Sequence, residues 1–305
     1  MIIKTEKKDG ITVYTVEKDY DDKTLAKKLD KFLKPGDIKD IIRTDADVFT
    51  ADGRLLLRFR KSKLNKEHQD AFYDNIIKFA KNVSGLRGSA SGSKKKTLGQ
   101  VNKVMSNIFG YFDRWTPSQK VIFKRLGKKP TINVRECRFN MDYPELYKKT
   151  IPLIEDIDKW YSKLTPDHYD KQIKKARQTY FKIANTSFTT VTTNVNFQTG
   201  LHTDKGDDDE GFGNLAVIER GEYSGAETCF PQYGIGVDVR SGDILFMDVH
   251  QPHANLPIHK KTKDTIRLSI VCYLRKNVWL NSKNKTRKMV EQHNKTVKAM
   301  RKVPK

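Results

Sequence analysis

The run "LHTDKGDDDEGFGNLAVIERG", residues 201–221, sets His202 and Asp204 two positions apart at the mouth of a glycine-rich, acidic loop. In extended backbone, residues i and i+2 point to the same side, so this imidazole and this carboxylate can reach one ion. A lone HxD is common by chance, and a metal site needs a third ligand. Downstream, "GDILFMDVHQPHANLP" runs from a turn through an apolar strand into His250 and His253. A strand end that delivers either histidine into a pocket would complete the set.

Two histidines and one carboxylate on one face of an octahedron form the arrangement of non-haem Fe(II) oxygenases, with three positions left open. A bidentate 2-oxoglutarate and O2 would fill them. The second carboxylate of such a co-substrate needs a buried cation. Arg267 follows His253 by fourteen residues and opens the apolar run "RLSIVCYLR". A buried arginine is costly without an anionic partner, and its fork matches a carboxylate. Ser269, two residues on, faces the same way. The acidic run Asp207 to Glu210 lacks the spacing of a calcium loop and reads as a solvated segment.

The elements that must position these groups come in two kinds. From residue 186 to 275, short β-rich runs such as "SFTTVTTNVNF", "NLAVIERG", "DILFMDV" and "TIRLSIVCYLR" alternate with Gly, Asp and Pro turns. That pattern predicts a jelly roll, a double-stranded β-helix, in an α+β chain with helices packed from the N-terminal side. Residues 1–83 read as an N-terminal α+β extension. It holds a hairpin at "GITVYTVEKDY", a helix over "TLAKKLDKFL", two strands around Asp52-Gly53 and an amphipathic helix over "KEHQDAFYDNIIKFAKNV". Residues 84–185 form a helical support region. It opens on the basic Gly/Ser loop "SGLRGSASGSKKK", continues through a strand at "NVRECRFNM" and ends in helical sequence broken near Pro152 and Pro166. Residues 276–305 form a basic tail in which Glu291 is the only acid.

Composition narrows the partners. The chain has 305 residues and a formal charge of +22, from 59 Lys and Arg against 37 Asp and Glu. Such an excess attracts a polyanion, and DNA or RNA is the commonest one. A lysine-rich surface without a partner is the alternative. Arg87, Lys94, Lys95 and Lys96 are candidate phosphate contacts, as is the tail. Tyr111, Phe112 and Trp115 serve either core packing or base stacking. Three scattered cysteines, without a CxxC pair, argue against a disulfide framework and a cysteine zinc site. With no secretory leader and no run of about 18 apolar residues, the expectation is an intracellular monomer away from membranes. His68, His168 and His293 lie outside the β-rich region and read as surface residues.

Taken together, "TTVTTNVNFQTGLHTDKGD", "GFGNLAVIERGEYSGAETCFPQYGIGVDVRSGDILFMDVHQPHAN" and "RLSIVCYLR" resemble the 2-oxoglutarate/Fe(II) dioxygenases. Within them, the likeness is to the ten-eleven-translocation and base-J-binding-protein nucleobase oxygenases, in their viral, algal and fungal relatives. It is firm over about 186–275, looser over 84–185 and absent elsewhere. The resemblance implies His202, Asp204 and His253 as iron ligands, and Arg267 and Ser269 as the anchor for the distal carboxylate. Asn194 and Asn196 would line the co-substrate pocket, with Arg138 beside the carboxylate near the metal. Alanine in "HAN" replaces an expected glycine. The implied reaction uses Fe(II), 2-oxoglutarate and O2 to hydroxylate the 5-methyl group of thymine or 5-methylcytosine, the base being flipped from DNA. A lysyl or prolyl hydroxylase on the same core and an inactive basic nucleic-acid-binding module are the other readings.

Overall fold

A computed structural model describes residues 1–85, 87–92, 102–127 and 129–301. The N-terminal segment lays down β1 (Ile2–Lys8), β2 (Ile11–Val16), α1 (Asp22–Lys28), β3 (Asp40–Ile42), β4 (Ala46–Thr50), β5 (Leu55–Arg60) and α2 (Lys66–Ala80). The expected β4–β5 pair turns at Gly53, whose φ of 80° suits the left-handed turn. The run expected to hold a hairpin, residues 10–20, supplies only β2; the hairpin forms one strand earlier, with β2 paired to β1 around Asp9-Gly10. Helix α1 is shorter than its apolar spacing predicts. It stops at Lys28, Asp30 takes a φ of 64° and donates its N–H to the Leu201 carbonyl, and Leu29 and Phe32 are left exposed.

The middle of the chain supplies β6 (Ser106–Phe112), α3 (Pro117–Leu126), β7 (Arg135–Glu136), α4 (Arg138–Asp142), α5 (Pro144–Leu164) and α6 (Pro166–Ala176). The strand expected over 133–141 is confined to two residues, after which the chain coils into α4. Pro166 starts a new helix as expected, but α5 runs through Pro152 without a break. Proline removes one backbone bond and crowds the preceding turn. Burial of Leu153, Ile154, Ile157 and Tyr161 against α2 and the sheet holds the helix together across it.

The remaining strands are β8 (Thr190–Val195), β9 (Gly213–Arg220), β10 (Tyr223–Gly225), β11 (Thr228–Phe230), β12 (Ile235–Val237), β13 (Ile244–Met247), β14 (Ala254–Asn255), β15 (Ile258–Lys260) and β16 (Ile266–Tyr273). Ten strands form one sheet in the order β1-β2-β4-β5-β13-β9-β16-β8-β6-β7, and β14-β11-β12-β3 form a second. This is the jelly roll expected from the strand spacing. Period-2 alternation decides what each face does. On β16, Leu268, Ile270 and Cys272 pack toward the helices, while Arg267, Ser269, Val271 and Tyr273 line a cavity between the sheets. On β13, Ile244 and Phe246 face the helices, and Leu245 and Met247 face inward.

The N-terminal segment is built into this architecture. β5 pairs with β13, and β3 pairs in parallel with β12, so residues 1–83 extend both sheets. The basic tail is likewise packed. It forms α7 (Lys276–Ser282) and α8 (Arg287–Arg301), and Val278, Val290, Val297 and Met300 are buried. His293, read as a surface residue, is 2% exposed, with Nε2 against the Val134 carbonyl at 2.9 Å.

Tyr161 ties α5 to the loop that leads out of the acidic run. Its hydroxyl accepts from Phe212 N–H at 2.7 Å and donates to Gln172 Oε1 at 3.3 Å. Tyr161→Phe strands that buried N–H, with an expected loss of about 1–3 kcal/mol. The check is urea unfolding, where the midpoint should fall at constant m-value.

Candidate active site

His202 and His253 face each other across an isolated antiparallel bridge. His202 N–H donates to the His253 carbonyl at 3.0 Å, and His253 N–H to the His202 carbonyl at 2.9 Å. Their rings stand 4.6 Å apart between centroids. Asp204 is held by its own N–H on the Val249 carbonyl at 3.1 Å, and its carboxylate approaches the Nε2 of both rings. Asp204 Oδ1 lies 3.6 Å from His202 Nε2, and Oδ2 lies 3.8 Å from His253 Nε2. One atom from each of the three residues falls within 4.8 Å of the others. The two nitrogen–oxygen gaps are shorter than the sum of two metal–ligand bonds of about 2.1 Å, so a single cation can bridge them.

The tautomers suit that use. His202 Nδ1 sits 2.8 Å from the Gly200 carbonyl, and His253 Nδ1 sits 2.9 Å from the Gln251 carbonyl. Each Nδ1–H therefore donates to its own backbone two residues upstream and leaves the Nε2 lone pair facing Asp204. Burial, then the neighbouring His253, pushes the His202 imidazole down to about 4, so it is neutral near pH 7. Burial pushes the Asp204 carboxyl up, but His253, His202 and Arg87 outweigh it and hold the group below its ordinary value. His250 points elsewhere, with Nε2 3.2 Å from the Asp208 carbonyl.

Arg267 enters the same cavity from β16. It is 5% exposed, its Nε has no hydrogen-bond partner, and no ion pair reaches it among the described residues. A buried, uncompensated guanidinium fits an anionic ligand. Tyr223, which sequence reasoning passes over, lies beside it. Burial pushes the Tyr223 hydroxyl up to about 12 against the opposing pull of Arg267. Ser269 and Asn194 line the cavity, and Asn194 Nδ2 donates to Ser269 Oγ at 3.2 Å.

Asn196 does not line it. At a φ of 48° its side chain turns back to the backbone, accepting from Arg267 N–H at 2.7 Å and donating to the Thr265 carbonyl at 2.9 Å. It fixes the entry of Arg267 into the sheet.

Two expectations about cations are corrected. Arg138 stands at the start of α4 with its side chain 79% exposed and paired to Asp142 at 3.1 Å, away from the cavity. The cause is the turn into α4 where a strand was expected. Arg87, expected on an exposed phosphate-binding loop, instead lines the cavity. Its Nε donates to Ser106 Oγ at 2.8 Å, and its Nη2 to Asn194 Oδ1 at 3.2 Å. Nothing in the local charge pattern distinguishes Arg87 from its lysine neighbours. Only the pairing of β6 with β8 brings Ser106 beside Asn194. Lys94, Lys95 and Lys96 lie outside the described residues. Strand parity, extended from Arg267 and Ser269, would have found Tyr273 and Arg275. Of the aromatics, Tyr111 packs edge-on to Phe181, Phe112 lies under Arg275, and half-buried Trp115 packs against Phe123.

Residues 123–276 match the family model Tet_JBP, described as the oxygenase domain of the 2OGFeDO superfamily. The bifunctional helicase and thymine dioxygenase JBP2 of Leishmania braziliensis is 31% identical over 201 residues, covering 66% of this chain and 16% of that protein. Thymine dioxygenase JBP1 of Trypanosoma brucei brucei is 33% identical over 173 residues, covering 56% of this chain and 19% of that protein. The chain thus spans less than a fifth of the length of these relatives. In fold, it is similar to a solved structure of NgTET1 in complex with 5mC DNA, at 14% identity and a TM-score of 0.51, covering 90% of this chain and 100% of that one. The chain belongs to the Tet/JBP oxygenase family, dioxygenases that use Fe(II), 2-oxoglutarate and O2.

Proposed function

We infer that the chain hydroxylates the 5-methyl group of a pyrimidine base, thymine or 5-methylcytosine, in DNA. In this reading His202, Asp204 and His253 hold Fe(II), and Arg267 with Ser269 takes the distal carboxylate of 2-oxoglutarate. Asn194 lines the same pocket, and Arg87 supplies the cation expected of Arg138. Bound there, Fe(II), 2-oxoglutarate and O2 together supply oxidation of an unactivated C–H bond. The chain's own residues do the positioning. The backbone carbonyls of Gly200 and Gln251 orient the two imidazoles. Arg267 fixes one end of the co-substrate, and Leu215, Met247 and Val271 keep the cavity wall apolar. A methyl group inside a duplex cannot reach this site, so the base must be extruded into it.

The observation that carries the reading is the buried Arg267 guanidinium, with no partner on Nε and no ion pair among the described residues, in the same cavity as the His-Asp-His cluster. The choice of a nucleic-acid substrate is supported by the relatives named as thymine dioxygenases and by the net charge of +22. The same charge disfavours the protein-hydroxylase reading, for which a basic surface has no use. The test is anaerobic purification with Fe(II), then incubation with 2-oxoglutarate and defined DNAs or RNAs, read by nucleoside mass spectrometry. Succinate without any modified nucleoside would sink the substrate assignment.

The phosphate contacts expected of the tail are testable without cutting packed helices. Lys288, Lys295 and Lys298 are exposed on α8, opposite the buried Val290, His293 and Val297. Replacing the three lysines with glutamine is expected to weaken DNA binding. It should also flatten the salt dependence by about 0.9 per lost contact. Equal affinity and slope would make α8 a solvated face.

A further inference from the structure

The spacing of Leu25, Leu29, Phe32 and Leu33 would put all four on one helix face, but the chain breaks that face apart. Helix α1 ends at Lys28, and Asp30 takes a left-handed φ of 64°. Leu25 and Leu33 stay buried, in a cluster with Leu201, Cys229, Ala254 and Leu256. Leu29 and Phe32 are released outward, 40% and 45% exposed. A positive φ outside glycine is uncommon and persists where surrounding structure holds it.

Here the holding structure is the segment that carries the first metal ligands. Asp30 N–H donates to the Leu201 carbonyl, and Leu201 N–H donates to the Lys31 carbonyl, both at 2.8 Å. Gln198 Nε2 donates to the Leu33 carbonyl at 3.1 Å. A Cβ on Gly200 would stand 3.1 Å from the Asp30 carbonyl oxygen, so the two backbones are in contact. The Phe32 ring also lies against Gly92, in the loop that carries Arg87, where a Cβ would collide with it. Leu201 immediately precedes His202, which puts Phe32 within about 17 Å of the first ligand, Cα to Cα. The surroundings are cationic. Residues 23–34 hold five lysines and one acid, and Lys27, Lys31 and Lys34 are exposed. An exposed aromatic among cations complements nucleic acid, which offers base faces and phosphates together. An apolar protein partner would make no use of that charge.

We propose that Phe32, with Leu29 beside it, enters the DNA stack and occupies the gap left by the extruded base. The proposal rests on the pyrimidine reading above, which requires extrusion but supplies nothing to fill the gap. Removing one base leaves its neighbours about 7 Å apart, twice the 3.4 Å rise, and an aromatic ring stacks between them. Apolar wedges of Phe or Leu unstack base steps in this way. The lysines at the rim take the flanking phosphates. Because the turn is bonded to Leu201, the position of the wedge and the position of His202 are set together.

The test uses the full chain with Fe(II) and 2-oxoglutarate on two duplexes of one sequence. Each carries one target, thymine or 5-methylcytosine, with deoxyuridine replacing every other thymine. One duplex is fully paired, and the other has an abasic site opposite the target, which unpairs it beforehand. Mass spectrometry of the hydroxymethyl product gives kcat/KM. Phe32→Ala is expected to lower it about 10–100-fold on the paired duplex and less than about threefold on the unpaired one. Phe32→Trp, which keeps an aromatic face, should restore the paired activity, and Phe32→Lys, which adds only charge, should not. Equal losses on both duplexes mark a structural role and overturn the proposal, as do unchanged rates. Wild type that oxidises the unpaired target alone overturns it too. A binding readout separates these failures from failure of the pyrimidine reading. 2-Aminopurine at the target position brightens when it leaves the stack. Saturating wild type should brighten it without 2-oxoglutarate, and saturating Phe32→Ala should not. Wild type that brightens the probe yet oxidises no pyrimidine loses the base assignment and keeps the wedge. Equal brightening by Phe32→Ala, or none by wild type, overturns the wedge whatever the substrate.

Discussion

Replacing His202, Asp204 or His253 with alanine is expected to abolish Fe(II)-dependent conversion of 2-oxoglutarate to succinate. The three ligand atoms lie within 4.8 Å of one another, and the two imidazoles are oriented by the Gly200 and Gln251 carbonyls rather than by another ligand's side chain. Loss of one therefore leaves two ligands in place but insufficient to hold the ion. Disturbing only the partners that orient metal ligands costs about 10–100-fold, and deleting a ligand should exceed that. His250→Ala is the control. Its ring is spent on the Asp208 carbonyl, so most activity should survive. Succinate formation and Fe(II) binding by equilibrium dialysis measure both. An active His253→Ala beside a dead His250→Ala would move the third ligand to His250.

Arg267→Ala should raise the 2-oxoglutarate requirement by at least about thirtyfold, from a loss of about 2–5 kcal/mol when a buried carboxylate loses its partner. Arg267→Lys should recover only part, since a point charge cannot form the two parallel bonds. A second readout separates anchoring from architecture. In the free protein the Arg267 guanidinium is buried with no carboxylate paired to it among the described residues. Removing it should leave the apo melting temperature unchanged or raise it, while the stabilisation normally added by 2-oxoglutarate disappears. If 2-oxoglutarate stabilises Arg267→Ala as it does wild type, the anchor lies at Arg87 or Arg275.

What the sequence made legible follows physical range. β9, β13 and β16 announce themselves because β-branched and aromatic residues alternate over several positions between turn residues, a signal contained within each strand. Strand parity puts His202 beside Asp204 and Arg267 beside Ser269. The choice of His253 over His250 rests on the family resemblance, because the bridge that sets His253 against His202 joins segments far apart in the chain. Arg138 failed because its neighbourhood reads as strand while the chain coils there. Arg87 failed because its partners, Ser106 and Asn194, lie far along the chain and are reached only through the pairing of β6 with β8. The residues of the tail look solvated from their charge, yet Val290, His293 and Val297 recur at helical spacing and are buried. The apolar stripe was present but diluted by lysines.

The seam between β5 and β13 carries a consequence for how the molecule comes into being. Arg60 pairs with Ile244, and β13 in turn pairs with β9 beside β16. On the ribosome, the first five strands emerge long before their neighbour exists. They must wait with one edge open while the intervening chain is made, and closing so distant a contact is slow. An excised fragment limited to residues 123–276 would keep every proposed iron ligand and lose β5, exposing the edge of β13. Such a fragment is expected to aggregate, and supplying residues 1–83 as a separate chain would be the natural attempt at rescue.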